Sequence, residues 1–339
     1  MQEKIIGGEF RIDVDALKGE IKHDISPNYS IGRTCLYAVL DTLKSSVWGG
    51  VLLPDYICSS VAEVPLRIGL PIEHYHITAS LLPDIDELKE KIKRSDKYLA
   101  VVLISYFGIV DLDDVIKSIR YEYPEIKIII DDVQDFYGFG HHVDYDYCFT
   151  SYRKWFAVPD GSDVLQKDGI LDLKRFDGHS KYALYKVAGN LLKNHVEMVG
   201  DSISLELIDK GEDEMDKEYR YACSELGIKL FQRIDTEAVA EKRRNNAKIL
   251  HDGLNRLDIR HYYNPKKVPL FVPILIHNRD RIRKKLFEEN IFVPVHWPVI
   301  DIKLQGNNEL YKTELSLICD QRYDEEDMER MLSEIKNAM

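Results

Sequence analysis

The first half of the chain alternates two kinds of segment, and this alternation restricts the fold more than any other feature of the sequence. Short apolar runs at Val51 to Leu53, Leu99 to Ser105 and Ile128 to Ile130 are separated by stretches of helical periodicity. Leu36, Val39, Leu40 and Leu43 mark one helical face, Ile85, Leu88 and Ile92 a second, and Val115, Ile116 and Ile119 a third. Asp84 and Glu87 have the spacing of a capping box at the start of the second of these helices. Unbroken apolar runs suit strands covered on both faces, and their alternation with helices predicts a mostly parallel sheet with right-handed crossovers.

The second half reads differently. Asp160, Gly161 and Ser162 predict a turn into a further strand, and helical periodicity then runs from Tyr182 to Ile208. A charged helix from Thr236 to Leu254 leads into a strand at Leu270 to Ile276, a helix at Arg279 to Glu289 and a strand at Ile291 to Val295. A last helix turns Met328, Met331, Leu332 and Ile335 inward. The expected fold is therefore α/β, a mostly parallel central sheet flanked by helices over residues 1–235, with a smaller C-terminal α+β domain over residues 236–339. At 339 residues and 45% hydrophobic, the chain can bury a core for each.

Charge and cysteine usage narrow the function. A net charge of −12 opposes general nucleic-acid binding, although a few arginines can still make a local pocket for a small anion. The five cysteines, at 35, 58, 148, 223 and 319, are scattered and odd in number, as expected in a reducing cytoplasm. Neither an export signal nor a run long enough to span a bilayer is found, so cytoplasmic location without membrane contact is expected. His141 and His142 resemble a metal pair, but no third ligand stands at a helpful spacing. No metal is expected, and the pair reads as loop or core.

The chemistry is expected where the apolar run Ile128 to Ile130 ends in Asp131 and Asp132. In open α/β sheets, ligands sit beyond the carboxyl ends of the strands. Soon afterwards the chain reads Phe149 Thr150 Ser151 Tyr152 Arg153 Lys154 Trp155. A lysine just past the next strand offers an amine to an aldehyde cofactor, while a carboxylate offers a partner to a pyridinium nitrogen.

Six stretches carry a resemblance to a known family. They are SIGRTCL at Ser30 to Leu36, LLPDYICSSV at Leu52 to Val61, ISYFG at Ile104 to Gly108, IIIDDVQDFYG at Ile128 to Gly138, SYRKW at Ser151 to Trp155 and VPVHWP at Val293 to Pro298. In this order, over nearly the whole length, the chain resembles the fold type I (aspartate aminotransferase-like) pyridoxal phosphate enzymes, and among them the DegT-like aminotransferases of nucleotide-linked keto sugars. The resemblance implies pyridoxal 5'-phosphate as cofactor. It makes Lys154 the lysine that binds the cofactor and later moves the substrate proton, and Asp132 the partner of the pyridine nitrogen. It places the cofactor phosphate at Arg33 and Thr34, with Ser151 adding a hydroxyl.

The sequence also departs from the family pattern. Ser151 stands three residues before the lysine where the family usually has five, and no glycine-rich run follows Lys154. Asp135 falls where a glutamine or histidine meets the phenolic oxygen, with Gln134 as the competing residue. Cys58 occupies the position of a common stacking aromatic, leaving Tyr56 or Tyr106 to stack instead. His296, beside Trp297, is a candidate for the substrate pocket.

The function this implies is amino transfer from an amino acid, with glutamate as the expected donor, to a keto sugar nucleotide in surface polysaccharide or amino-sugar biosynthesis. The alternatives are a sugar dehydratase on the same fold, against which Lys154 counts, and a non-catalytic binding or regulatory protein. A homodimer is expected from the same resemblance and from a helix whose apolar residues Leu191, Leu192, Val196 and Met198 exceed one narrow stripe. The segment Glu214 to Arg220 would then reach the neighbouring site, with Arg220 offering its charge to a phosphate.

Overall fold

The computed structural model describes residues 4–44, 49–94, 98–167, 173–193 and 201–339. Its elements run β1 (Ile6–Gly7), α1 (Gly32–Lys44), β2 (Gly50–Pro54), α2 (Ser59–Arg67), β3 (Ile72–Tyr75), α3 (Ile85–Lys93), β4 (Tyr98–Ile104), α4 (Asp113–Glu122), β5 (Lys127–Asp131), β6 (Tyr147–Ser151) and β7 (Ser162–Gln166). There follow α5 (Lys181–Lys193), α6 (Asp201–Lys217), α7 (Glu225–Phe231), α8 (Thr236–Arg256), β8 (Phe271–Leu275), α9 (Arg279–Glu288), β9 (Ile291–Phe292), two short helices α10 (Ile302–Gln305) and α11 (Leu310–Thr313), β10 (Glu314–Ile318) and α12 (Glu325–Ala338).

The central sheet has the order β3-β2-β4-β5-β6-β7. Its strands are parallel except β7, which turns back antiparallel against β6. Strands β2, β5 and β6 are almost wholly buried, which explains why they read as continuous apolar runs rather than alternating ones. The carboxyl ends of β5 and β6 lie side by side, Asp131 facing Phe149 across the ladder. That register brings Asp131 and Lys154 to the same edge of the sheet.

A second core forms around β8, β10, α8, α9 and α12, with Val272, Ile274, Leu315, Leu317, Met328 and Ile335 among its buried residues. The N-terminal strand belongs to this unit, because Ile6 pairs with Ile291 and is itself fully buried there. Between the two cores, Trp155, Phe156, Phe231 and Leu270 pack into a third cluster that ties the turn after Lys154 to the smaller unit. Among the described residues no helix is long and apolar enough to cross a membrane.

Three elements differ from the sequence reading for identifiable reasons. Helix α2 contains Pro65, and β10 opens with a fully buried Glu314, so each carries a residue that local propensity places outside such an element. The helical periodicity from Tyr182 to Ile208 spans α5 and the start of α6, two packed helices. Residues 194–200, including Val196 and Met198, lie outside the described residues. Glycine is required where those helices approach: a Cβ on Gly189 would stand 2.8 Å from the carbonyl of Ser204. At α3, Asp84 accepts from the Glu87 amide as expected, but the Glu87 carboxylate turns to the amide of His76. The reciprocal capping box occurs instead at Asp324 and Asp327.

Candidate active site

A cavity of about 710 Å³ opens at the carboxyl edge of β5 and β6, between the central sheet and the smaller unit. Gly32, Arg33, Asp131, Gln134, Ser151 and Lys154 are among its lining residues. Helix α1 points its first turn into this space. Among the described residues, the amides of Gly32 and Arg33 meet no acceptor, as the geometry of a helix start requires unless an anion or water arrives. Gly32 cannot carry a side chain, since its Cβ would stand 2.8 Å from Val133 Cγ2. Backbone can therefore approach a phosphate at this point.

Lys154 follows β6 on a short 3₁₀ turn, Tyr152–Lys154. Its amine forms no hydrogen bond or ion pair with the described residues and stands in the cavity. The Arg153 guanidinium and the surrounding protein bring its pKa down to about 8. An amine so depressed is partly neutral near physiological pH, the form that attacks an aldehyde or takes a proton. The turn is held from outside: Arg243 and Gln321 both donate to the carbonyl of Trp155, and Arg243 lies over the Trp155 ring.

The two aspartates after the isoleucine run face opposite ways, as consecutive residues at a strand end do. Asp131 is turned into the cavity, where one carboxyl oxygen accepts from the Val133 amide at 2.9 Å. Burial pushes it up to about 7, that amide working against the rise and the charge of Asp132 adding to it. Among the described residues no cation pairs with it. Asp132 sits behind the wall. It accepts from Ser105 Oγ at 2.6 Å, from Cys148 Sγ at 2.9 Å and from His142 Nε2 at 2.9 Å, and no part of it lines the cavity. Burial disfavours the charged form of His142, but the hydrogen bond and charge of Asp132 outweigh it and raise its pKa.

The same reversal of faces separates Gln134 from Asp135. Gln134 lines the cavity and accepts from the Phe107 amide at 2.9 Å. Asp135 points away, paired with Lys267 at 2.8 Å and accepting from the Gly138 amide. The cavity-facing set is thus Asp131, Val133 and Gln134, one residue earlier than the ungapped alignment that singled out Asp132 and Asp135.

Other expected residues divide in the same manner. Ser151 and the half-buried Cys58 line the cavity, the latter with its thiol 3.0 Å from Ser60 Oγ. Thr34 is fully buried and gives its hydroxyl to the Tyr219 carbonyl, so it offers nothing to the cavity. Arg33 reaches the cavity rim but pairs with Asp216 at 2.9 Å and lies over Tyr219. Tyr56 and Tyr106 are fully buried and absent from the cavity wall, whose aromatic residues include Phe149, Phe156, Phe271 and Trp297. Cys148 is the third metal-type ligand that spacing did not reveal beside His142: it lies with Asp132 and His142 in a group whose ligand atoms are within 4.8 Å of one another. The three groups are joined directly by hydrogen bonds through Asp132.

One charged cluster escaped sequence reading altogether. Glu212 of α6 forms an ion pair with Lys186 of α5 and lies 3.9 Å from Arg153, while Lys186 also meets Glu9 at 3.0 Å. These residues come from four distant parts of the chain, and no local pattern joins them. Burial disfavours ionised Glu212, but Arg153 and Lys186 prevail and hold it at about 2. A depressed carboxyl stabilises the fold above its unfolded value of 4.5, and this contribution disappears as pH falls toward 2. The melting temperature of Glu212→Gln is therefore expected to lie below wild type at pH 7 and to converge with it as pH falls below 4. Parallel melting curves at pH 7 and at the lowest pH where both proteins fold check this.

The sequence matches no family model and no curated protein. The fold, in contrast, is shared with solved structures. DesI, solved in the presence of its TDP-sugar product, aligns at a TM-score of 0.69 with 14% identity, over 99% of this chain and 93% of that one. Spr1654 of Streptococcus pneumoniae, named as a sugar aminotransferase and solved in a PMP form, gives 0.67 at 14% identity over 92% and 85%. A DegT DnrJ EryC1 StrS aminotransferase from Brucella abortus gives 0.63 at 16% identity over 95% and 87%. The chain thus has the fold type I architecture.

Proposed function

We propose that the protein is a pyridoxal phosphate-dependent aminotransferase that moves an amino group from an amino acid, with glutamate as donor, to a keto sugar carried on a nucleotide. The observation that carries this reading is the unpaired amine of Lys154 in one cavity with the buried carboxyl of Asp131 and the open amides at the start of α1. The residues fit the cofactor by their chemistry. Lys154 would hold it covalently, the Gly32 and Arg33 amides with Ser151 would take its phosphate, and Asp131 would meet its ring nitrogen. Val133 would lie against the ring and Gln134 would face the phenolic oxygen, in place of Asp135. Asp132 would act from behind, fixing the strand end through Ser105, His142 and Cys148.

When bound, the cofactor supplies an electron-withdrawing ring that stabilises negative charge on the substrate carbon. The protein supplies the rest. Lys154 would move a proton to and from that carbon, and its depressed pKa of about 8 places proton affinity near neutrality, where such transfer is efficient. Asp131, raised by burial and with no cation paired to it among the described residues, would be stabilised in its charged form by a protonated ring nitrogen. Trp297 and Phe271 add apolar surface to the cavity wall.

Borohydride reduction of the protein incubated with pyridoxal phosphate, followed by peptide mapping, is expected to place the label on Lys154. Label confined to another lysine would refute the assignment. Adding glutamate to the unreduced protein is expected to shift the visible absorption from the aldehyde-bound to the amine form of the cofactor, and an unchanged spectrum would remove glutamate as donor.

The same reading includes a homodimer working in the cytoplasm, in surface polysaccharide or amino-sugar biosynthesis. Its structural support lies in α5 and α6, where Leu184 is 68% exposed and Ile203 and Leu205 are 47% and 43% exposed. Large apolar side chains left exposed on two packed helices are groups that a second copy could cover. Arg220 is paired with Glu218 within its own chain, so contact with a neighbouring site requires that pair to open. Sedimentation of Leu184→Glu is expected to show monomer where wild type shows dimer, and a wild type that is monomeric at assay concentration overturns this part of the reading.

A further inference from the structure

From the cavity that holds Lys154, a line of three polar residues that the amino-transfer chemistry above does not use runs back into the smaller unit. His296 lines the cavity and is held between the rings of Phe107 and Phe271, at 5.4 and 5.1 Å between centroids. Its Nδ1 is 2.8 Å from Ser316 Oγ, and Ser316 Oγ is 2.5 Å from Glu314 Oε1. The second carboxyl oxygen, Oε2, accepts from the His296 backbone amide at 2.7 Å. Ser316 and Glu314 are fully buried, facing inward from β10. Nε2 of His296 has no partner among the described residues. The line therefore has one buried end, at Glu314, and one end at the cavity.

We propose that His296, Ser316 and Glu314 form a proton relay between the cavity beside Lys154 and a carboxyl buried in the smaller unit. Two hydrogen-bond directions satisfy the same geometry. With Glu314 ionised, Nδ1–H donates to Ser316 Oγ, Oγ–H donates to Oε1, and Nε2 presents a lone pair to the cavity. When a proton arrives at Nε2, the Nδ1 proton passes to Ser316 Oγ and the serine proton passes to Oε1. The result is a neutral imidazole with its hydrogen on Nε2 and a neutral carboxylic acid at Glu314. One N–H bond forms at Nε2 while one breaks at Nδ1, Ser316 gives up one proton as it receives another, and one O–H bond forms at Glu314, so the line gains the single proton that entered.

The surroundings suit transit through the ring with storage at its far end. Burial, and after it the charge of Lys154, pushes His296 down to about 3, so the imidazole does not retain two protons. Burial pushes Glu314 up to about 8, against hydrogen bonds from Ser316 and the His296 amide and against the charge of Arg279. Arg279 spends Nη1 on the carbonyls of Tyr311 and Glu314 rather than on the carboxyl. Tyr56 and Tyr262 also feel the Glu314 charge, and the Tyr56 hydroxyl is buried without a partner. Among the described residues, no Lys or Arg is hydrogen-bonded to the carboxyl to fix it in the charged form. The relay would take up or return the proton that Lys154 exchanges with substrate, a use that rests on the aminotransferase reading, whereas the relay itself rests on the three side chains.

Nitrogen NMR of the full-length protein labelled at histidine, with His296 assigned by loss of its signals in His296→Gln, tests the relay without substrate. The expected result is a tautomer switch, with hydrogen on Nε2 at pH 6 and on Nδ1 at pH 10, the ring remaining neutral throughout. Ser316→Ala and Glu314→Gln are each expected to abolish the switch. A single tautomer across this range in wild type, an imidazolium at pH 6, or a switch that persists in Ser316→Ala would overturn the proposal. In the transamination assay Ser316→Ala is expected to slow turnover tenfold or more and to flatten the pH profile. A tautomer switch in a protein with no amino-transfer activity would refute the aminotransferase reading and leave the relay standing.

Discussion

Replacement of Lys154 by alanine is expected to abolish amino transfer, with a loss on the order of 10³-fold or greater, because covalent attachment and general acid–base transfer are removed together. The fold should tolerate the change. Lys154 makes no hydrogen bond or ion pair with the described residues, and the turn that carries it is held through the Trp155 carbonyl by Arg243 and Gln321. Removing a positive charge beside Arg153 should, if anything, relieve repulsion, since Arg153 is the leading cause of the depressed Lys154 pKa. The expected signature is therefore a protein of unchanged melting temperature that still takes up pyridoxal phosphate, shows no borohydride-stable label and does not turn over. Retained turnover within tenfold of wild type would show that another group performs the chemistry.

The second large effect separates the two neighbouring aspartates. Asp131→Asn is expected to lower turnover by about 10²-fold or more with little change in stability, because the carboxyl has one hydrogen bond to protein and faces the cavity. Asp132→Asn reverses the pattern. Its carboxylate accepts from Ser105, Cys148 and His142, and an amide cannot accept all three. Breaking a buried charged pair of this kind costs about 3–5 kcal/mol, which should appear as a large fall in melting temperature. Turnover per folded molecule should fall less than in Asp131→Asn. Measuring melting temperature and turnover for both variants decides the register: a stable, inactive Asp132→Asn beside an active Asp131→Asn would restore the ungapped alignment.

That register illustrates how far local sequence reaches. The run Ile128 to Ile130 with two aspartates after it locates the edge of the sheet at which the cavity opens, and Lys154 after the next strand locates the amine in it. Which aspartate faces the cavity depends on the pleat, and a shift of one residue exchanges the faces of Asp131 with Asp132 and of Gln134 with Asp135. The surrounding motif counts positions and carries no information about pleat. Tyr56 and Tyr106 show the same limit. Both lie in motifs near the site, yet the Tyr106 hydroxyl is tied to the Tyr56 carbonyl and both rings pack beneath the wall.

By itself the sequence determined the α/β alternation, the sheet edge at which the cavity opens and the lysine that stands there. Each of these rests on periodicity or on residues close together in the chain, where neighbouring side chains suffice to define the pattern. The tertiary structure alone decided which polar groups meet at the cavity and behind it. Glu9, Arg153, Lys186 and Glu212 form one charged cluster, and His296, Ser316 and Glu314 one polar line, although their positions are separated by as many as 203 residues in the first group and 20 in the second. The N-terminal strand likewise joins the smaller unit through Ile291. Burial sets the proton affinities of Asp131 and Glu314, and burial is a property of the assembled core that no local stretch of sequence contains.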